Sequence, residues 1–72
     1  MNKNLLMSVL AKNGDKQSDL AAILGISLSR TNAKINETDG AQFYQSEIAR
    51  IKLHYGLSAE EVDSIFFTKA VS

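Results

Sequence analysis

The 72-residue sequence contains no cysteine and no proline. Without cysteine, the chain has neither disulfides nor thiolate ligands for a structural zinc site. No stretch of useful length alternates between apolar and polar residues, so helices are favoured over strands. No apolar run approaches the roughly 20 residues that span a bilayer, and no signal peptide is visible. We therefore expect a small all-α protein that is soluble and cytoplasmic.

Net charge is also absent, because eight basic and eight acidic residues cancel at pH 7. Residues 1–34 hold five basic and two acidic side chains, a net charge of +3. Residues 35–72 hold three basic and six acidic ones, a net charge of −3. DNA-binding domains are usually clearly basic, since phosphate neutralisation supplies much of their affinity. This mild asymmetry leaves DNA binding open, and ordinary scatter of surface charge is the alternative explanation.

Apolar spacing and capping residues predict five helices. The first covers about residues 3–12 and ends at an Asn-Gly pair, a common C-terminal signal. The second starts after Asp15, a good N-cap residue, and ends at Gly25, which tolerates the positive φ that stops a helix. Ser27 then caps a third helix of about residues 28–36.

The second half of the chain continues the helical pattern. Residues 37–43 have the Asp and Gly content of a loop, from which Phe43 is expected to enter the core. A fourth helix covers about residues 45–55. Ser58 and Glu61 have the spacing of a capping box, which starts the fifth helix. No repeat or linker interrupts the sequence, so we expect one domain.

The second and third helices form a distinct unit at residues 17–36. Two helices that cross steeply over a short turn need a small side chain where they approach, and Ala21 provides it. Gly25, four residues later, allows the chain to reverse. Such a helix-turn-helix presents the first turn of its second helix outward. A plain helical hairpin is the alternative.

These features resemble the Cro/CI-type (XRE-like) helix-turn-helix family of phage regulators. The resemblance rests on Gln17, Leu20, Ala21, Leu24, Gly25, Ile26, Ser27, Ile35 and Asn36. It extends to Phe43 and to the segments EIARI (47–51) and YGLSAEEV (55–62), and so covers nearly the whole chain. It implies a compact five-helix lambda-repressor-like DNA-binding domain, in a transcription regulator that acts in the cytoplasm of a bacterial host.

The same resemblance implies a contact surface at the start of the second helix and along the third. Its candidate partner- or DNA-binding residues are Gln17, Leu28, Ser29, Arg30, Asn32, Ala33, Lys34 and Asn36. In the family, the residue matching Gln17 hydrogen-bonds a DNA phosphate, and those matching positions 28, 29, 32 and 33 face the major groove. Arg30 and Lys34 are expected to be able to reach phosphate.

Two of these positions depart from the chemistry of a DNA reader. Leu28 and Ala33 can touch a thymine methyl but cannot pair with base edges. Leu28 shares a helical stripe with Thr31 and Ile35, so an inward orientation is one alternative. We expect it instead to be exposed at the tip of the helix, beside small uncharged residues. Such a surface suits a protein interface better than a phosphate-lined groove.

Two functions remain. In the first, the protein is an antirepressor that binds a partner CI-type phage repressor through its helix-turn-helix face and alters the lysis–lysogeny switch, with weak DNA binding. In the second, it is a Cro-like repressor that binds a palindromic operator as a dimer. Zero net charge, Leu28 and Ala33 favour the first. Gln17, Ser29, Asn32 and the basic half support the second.

Catalysis has little support in the sequence, which has no arrangement typical of a nucleophile with its base. We expect no enzyme, no cofactor, no metal ion and no small-molecule substrate. His54 has no other His or Cys nearby for a metal and is expected at the surface. Phe66 and Phe67 are adjacent, so both cannot face the core from one helix. Either one ring covers the end of the domain, or the tail from about residue 67 adds to a contact surface.

Overall fold

Five α-helices follow one another in a computed structural model, which describes residues 1–67. They are α1 (Lys3–Lys12), α2 (Gln17–Leu24), α3 (Leu28–Asn36), α4 (Gln45–Tyr55) and α5 (Ala59–Val62). A 3-10 turn occupies Thr38–Gly40, and α5 continues into a π-helical turn at Asp63–Phe67. Residues 1–67 contain no strand, so the all-α prediction is confirmed. Within the same residues, no helix is long and apolar enough to cross a membrane.

Capping side chains explain where α3 and α5 begin. The hydroxyl of Ser27 accepts the backbone N–H of Arg30 at 3.1 Å. At α5, the N–H of Glu61 donates to the Ser58 hydroxyl at 3.1 Å, and the N–H of Ser58 donates to the Glu61 carboxylate at 2.9 Å. The predicted capping box is therefore confirmed. The hydrogen bond from the Ser58 backbone also holds the pKa of the Glu61 carboxyl below its usual value.

The start of α2 differs from the prediction. Its N-cap is Lys16 rather than Asp15, and the N–H of Lys16 donates to the Asp19 carboxylate at 2.7 Å. Asp15 instead accepts a hydrogen bond from the Tyr55 hydroxyl of α4 at 2.6 Å. The prediction of Asp15 as N-cap is wrong because its carboxylate joins the α1–α2 connection to α4. Burial first, and then this hydrogen bond and the charge of Asp15, raise the pKa of Tyr55.

One apolar core joins all five helices. Its buried side chains are Leu6, Leu10, Leu20, Leu24, Ile35, Ile48, Ile51, Leu57, Val62 and Ile65. Phe43 packs against this core, as predicted, and meets Phe66 edge to face with ring centroids 5.8 Å apart. Phe67 lies at the surface, so only one of the two adjacent rings packs on the core. Residues 68–72 lie outside the described residues, and so does most of the predicted C-terminal contact tail.

α2 and α3 are joined by the three residues Gly25–Ser27. Gly25 has φ 69°, a left-handed conformation that an L side chain adopts only with strain. Ala21 is buried, and its carbonyl accepts the N–H of Ile26 at 3.1 Å. α2 packs against both α3 and α4. Ala21 is thus buried and Gly25 has the left-handed conformation that the sequence pattern predicts.

The predicted loop after α3 contains unusual backbone conformations. Glu37 ends α3 with φ 54°, Asp39 has φ 53° and Gly40 has φ 78°. Two of these residues are not glycine. A left-handed conformation costs an L residue roughly 1–2 kcal/mol, although Asp adopts it more readily than most. The segment between α3 and α4 is therefore compact but locally strained.

Candidate interaction surface

One side of α3 faces the core and the other faces solvent. Thr31, Lys34 and Ile35 are buried, at the i, i+3, i+4 spacing of a single helix face. At roughly 100° per residue, the opposite side is centred on Ser29 and Ala33. The candidate residues of α3 therefore divide between an outward arc and an inward face.

The first turn of α3 is the most accessible part of this arc. Leu28 is 45% exposed, and Ser29 and Arg30 are also exposed. Thr31 is fully buried, and its hydroxyl donates to the carbonyl of Ser27 at 3.0 Å. Thr31 therefore fills the inward position of this turn, and the expected exposure of Leu28 is confirmed.

Lys34 does not lie on this surface. Its ammonium is 2.6 Å from the carboxylate of Glu47 in α4, and the two side chains are only 5% and 8% exposed. The same ammonium lies 3.9 Å from the centroid of the Tyr44 ring. The expectation that Lys34 reaches a phosphate or a partner is corrected, because its charge is neutralised in the interior. Its place beside Ile35, three residues after Thr31, puts it on the buried face.

Gln17 lies half-buried at the start of α2. Its side-chain amide nitrogen is 3.8 Å from the sulfur of Met7 in α1, a weak acceptor. The amide is therefore directed towards α1. A contact with a phosphate or a partner needs this side chain to rotate away from Met7.

The end of α3 has polar side chains that already have partners. The Asn36 side-chain oxygen accepts the Lys3 ammonium at 2.6 Å, and its nitrogen donates to the carbonyl of Asn32 at 3.0 Å. Asn32 is half-buried, and its side-chain oxygen has no hydrogen-bond partner among residues 1–67. Ala33 is half-buried and adds no polar group. Apart from Asn36, the exposed polar side chains of α3 are those of Ser29 and Arg30 in its first turn.

The structure adds one residue that sequence reasoning missed. Tyr44 is 61% exposed, immediately before α4, with its ring against Lys34 of α3. A single exposed aromatic residue between a loop and a helix has no periodicity by which it could be recognised. The one indirect signal was the inward position of Lys34, because a buried lysine needs a carboxylate partner from another element.

No candidate metal site among the described residues competes with this surface. Residues 1–67 contain no group of three or more His, Cys, Asp or Glu side chains placed to hold a metal ion. His54 is exposed, as predicted, and packs edge to face on Tyr55 with centroids 4.8 Å apart. The outward arc of α3, which holds the exposed residues Leu28, Ser29 and Arg30, is the candidate interaction surface.

Comparisons with known protein families, curated proteins and solved structures find no match to this chain. The resemblance to the Cro/CI-type family consequently depends on the residues quoted above.

Proposed function

We propose that the protein is a phage transcription regulator in which α2, the Gly25–Ser27 turn and α3 form a lambda-repressor-like helix-turn-helix. It binds a partner CI-type repressor through α3 and so alters the lysis–lysogeny switch. In this role it resembles the modulator-of-repression proteins of temperate lactococcal phages. It acts in the cytoplasm of the bacterial host, as a binding protein rather than an enzyme.

The exposed first turn of α3 is the observation on which the proposal depends. It presents Leu28, 45% exposed, beside the small polar Ser29 and a single cation, Arg30. Interfaces between proteins concentrate their energy in a small apolar centre with a polar rim. Leu28 fits that centre, and Arg30 fits the rim.

The burial of Lys34 supports a protein partner over DNA. Non-specific and specific DNA affinity both depend on the number of phosphates that basic side chains neutralise. With Lys34 paired to Glu47, Arg30 is the only basic side chain of residues 28–36 at the surface. A helix with one exposed cation supplies few phosphate contacts, so DNA binding through α3 is expected to be weak.

A Cro-like DNA-binding repressor is the second candidate function. Ser29 and Arg30 are exposed at the first turn, and Lys3 lies beside Asn36 at the other end of α3. These side chains can donate to phosphates or base edges. Their small number makes this the weaker candidate.

Titration calorimetry with the purified protein tests the two functions directly. The protein is titrated against its cognate CI-type repressor and against operator DNA, each at two salt concentrations. We expect measurable repressor binding that changes little with salt, and weak DNA binding that is lost as salt rises. Absence of repressor binding, with an operator Kd tighter than about 10⁻⁸ M at physiological salt, would establish the Cro-like function instead.

A further inference from the structure

Tyr44 combines exposure with tight positioning. Its side chain is 61% exposed, yet one face of its ring lies 3.9 Å from the ammonium of Lys34. Its backbone N–H donates to the Glu47 carboxylate at 2.7 Å. An exposed aromatic side chain is usually free to change rotamer, but this one is held at both its ring and its backbone.

The groups that hold Tyr44 are themselves fixed. The Glu47 carboxylate accepts both the Tyr44 N–H and the Lys34 ammonium, the latter at 2.6 Å in the interior. Removing such charges from water is costly, so the pair persists only with close geometry and further hydrogen bonds. The ring is therefore presented at the surface in a preset orientation, and binding through it would lose little side-chain entropy.

The contact with Lys34 places the Tyr44 ring beside α3, on the side of the helix that also carries Arg30. Lys34 follows Arg30 by four residues, so the two lie one above the other on the same side of the helix. Leu28 borders the opposite side of the exposed arc, with Ser29 and Ala33 between. The arc is thus bordered by an exposed leucine on one side and by Arg30 and Tyr44 on the other.

We infer that Tyr44 is a second anchor of the partner contact and belongs to the same binding surface as Leu28. This inference rests on the proposed function. We expect the matching patch on the CI-type repressor to present apolar side chains to Leu28 and the Tyr44 ring, and a carboxylate to Arg30. Tyrosine is enriched among the few residues that dominate protein interfaces. An aromatic ring beside a neutralised lysine suits a protein better than a row of phosphates.

Binding measurements on three variants of the whole chain test the inference. Tyr44→Ala is expected to weaken binding of the cognate repressor roughly tenfold to a hundredfold, as for other anchor residues. Tyr44→Phe keeps the ring over Lys34 and is expected to bind like the wild-type protein. Leu53→Ala is the matched control, because Leu53 is an exposed apolar residue of α4, 86% exposed, away from the contact with Lys34. It is expected to have no effect.

A second measurement avoids any effect of Tyr44→Ala on folding. Nitration of the wild-type protein, followed by mass spectrometry, reports on Tyr44 and Tyr55, the two tyrosines of the chain. We expect bound repressor to protect Tyr44 strongly. Unchanged nitration of Tyr44 in the complex, or binding by folded Tyr44→Ala equal to that of Leu53→Ala, would overturn the inference. If Leu28→Ala still weakens binding in that case, the proposed function survives. If the wild-type protein does not bind the repressor, both fail.

Discussion

The environments of Leu28 and Lys34 are the reverse of what their chemistry favours. Leu28 is 45% exposed, whereas the ammonium of Lys34 is buried against Glu47. An isolated exposed leucine is common in proteins, but lysine is almost never fully buried unless it is paired. The buried lysine is therefore the more informative of the two. It removes a cation from the outward face of α3 and so leaves Leu28 in a nearly uncharged setting.

Replacement of Leu28 tests the first turn of α3. Leu28→Ala removes apolar area that the partner would bury, so it is expected to weaken repressor binding by roughly 1–3 kcal/mol. Leu5→Ala in α1 is the matched control, because Leu5 has a similar exposure of 40%. Calorimetry gives the affinities, and thermal unfolding should show little change for either variant. Repressor binding by Leu28→Ala equal to that of the control would remove the main support for the antirepressor function.

The buried ion pair can be tested by removing one partner or both. Lys34→Met leaves the Glu47 carboxylate buried without its cation, and it is expected to lower the free energy of unfolding by roughly 3–5 kcal/mol. The double variant Lys34→Met with Glu47→Leu removes both charges and should recover much of this loss. Chemical denaturation measures the free energy of unfolding of the wild-type protein and of both variants. If Lys34→Met were as stable as the wild-type protein, the Lys34–Glu47 pair would have to be exposed to water in solution rather than buried.

At the scale of helices, local rules predicted nearly all of the architecture. The bounds of α1 and α4 and the cap of α5 follow from apolar spacing, Asn-Gly and the Ser58–Glu61 pair. The N-cap of α2 did not follow from these rules, because the carboxylate of Asp15 binds Tyr55, which is 40 residues away in the sequence. The contact of Tyr44 with Lys34 was missed for the same reason. Tertiary hydrogen bonds and ion pairs leave no periodic trace in a single sequence.

The strained connection between α3 and α4 gives a prediction at this scale. Asp39 has φ 53° in the 3-10 turn, where glycine is free of the steric penalty that other residues have. Asp39→Gly is therefore expected to raise the free energy of unfolding by up to about 1 kcal/mol. This figure is net of the opposing effect of glycine, which increases the conformational entropy of the unfolded chain. Asp39→Ala, which keeps a Cβ atom, is the control and should give no such gain. Equal denaturation midpoints for the two variants would contradict the prediction.

For the whole molecule, the fold alters the apparent charge balance. The net charge of +3 over residues 1–34 includes Lys34. Its ammonium is neutralised by Glu47 from the acidic half. The surface is consequently less polarised than the sequence suggests. This favours binding that depends on shape and apolar contact, and it agrees with the small salt dependence expected for the repressor complex.

The stability of the whole fold is expected to decrease at alkaline pH because of Tyr55. Burial and the hydrogen bond to Asp15 raise the pKa of Tyr55 above its value of about 10 in the unfolded chain. The folded protein therefore holds this proton more tightly than the unfolded chain. The associated stability is complete below the unfolded pKa and is lost as pH rises above about 10.

Tyr55→Phe removes both the titrating group and its hydrogen bond, which contributes roughly 1 kcal/mol. We expect this variant to be less stable than the wild-type protein at neutral pH, with the difference narrowing above about pH 10. Tyr44→Phe is the control, since it also removes a tyrosine hydroxyl but leaves the hydrogen bond between Tyr55 and Asp15 in place. Denaturation midpoints across pH 7 to about 11 measure both. A Tyr55→Phe difference that stayed constant over this range would show that the hydroxyl titrates equally in both states. Asp15 would then not join the α1–α2 connection to α4 in solution.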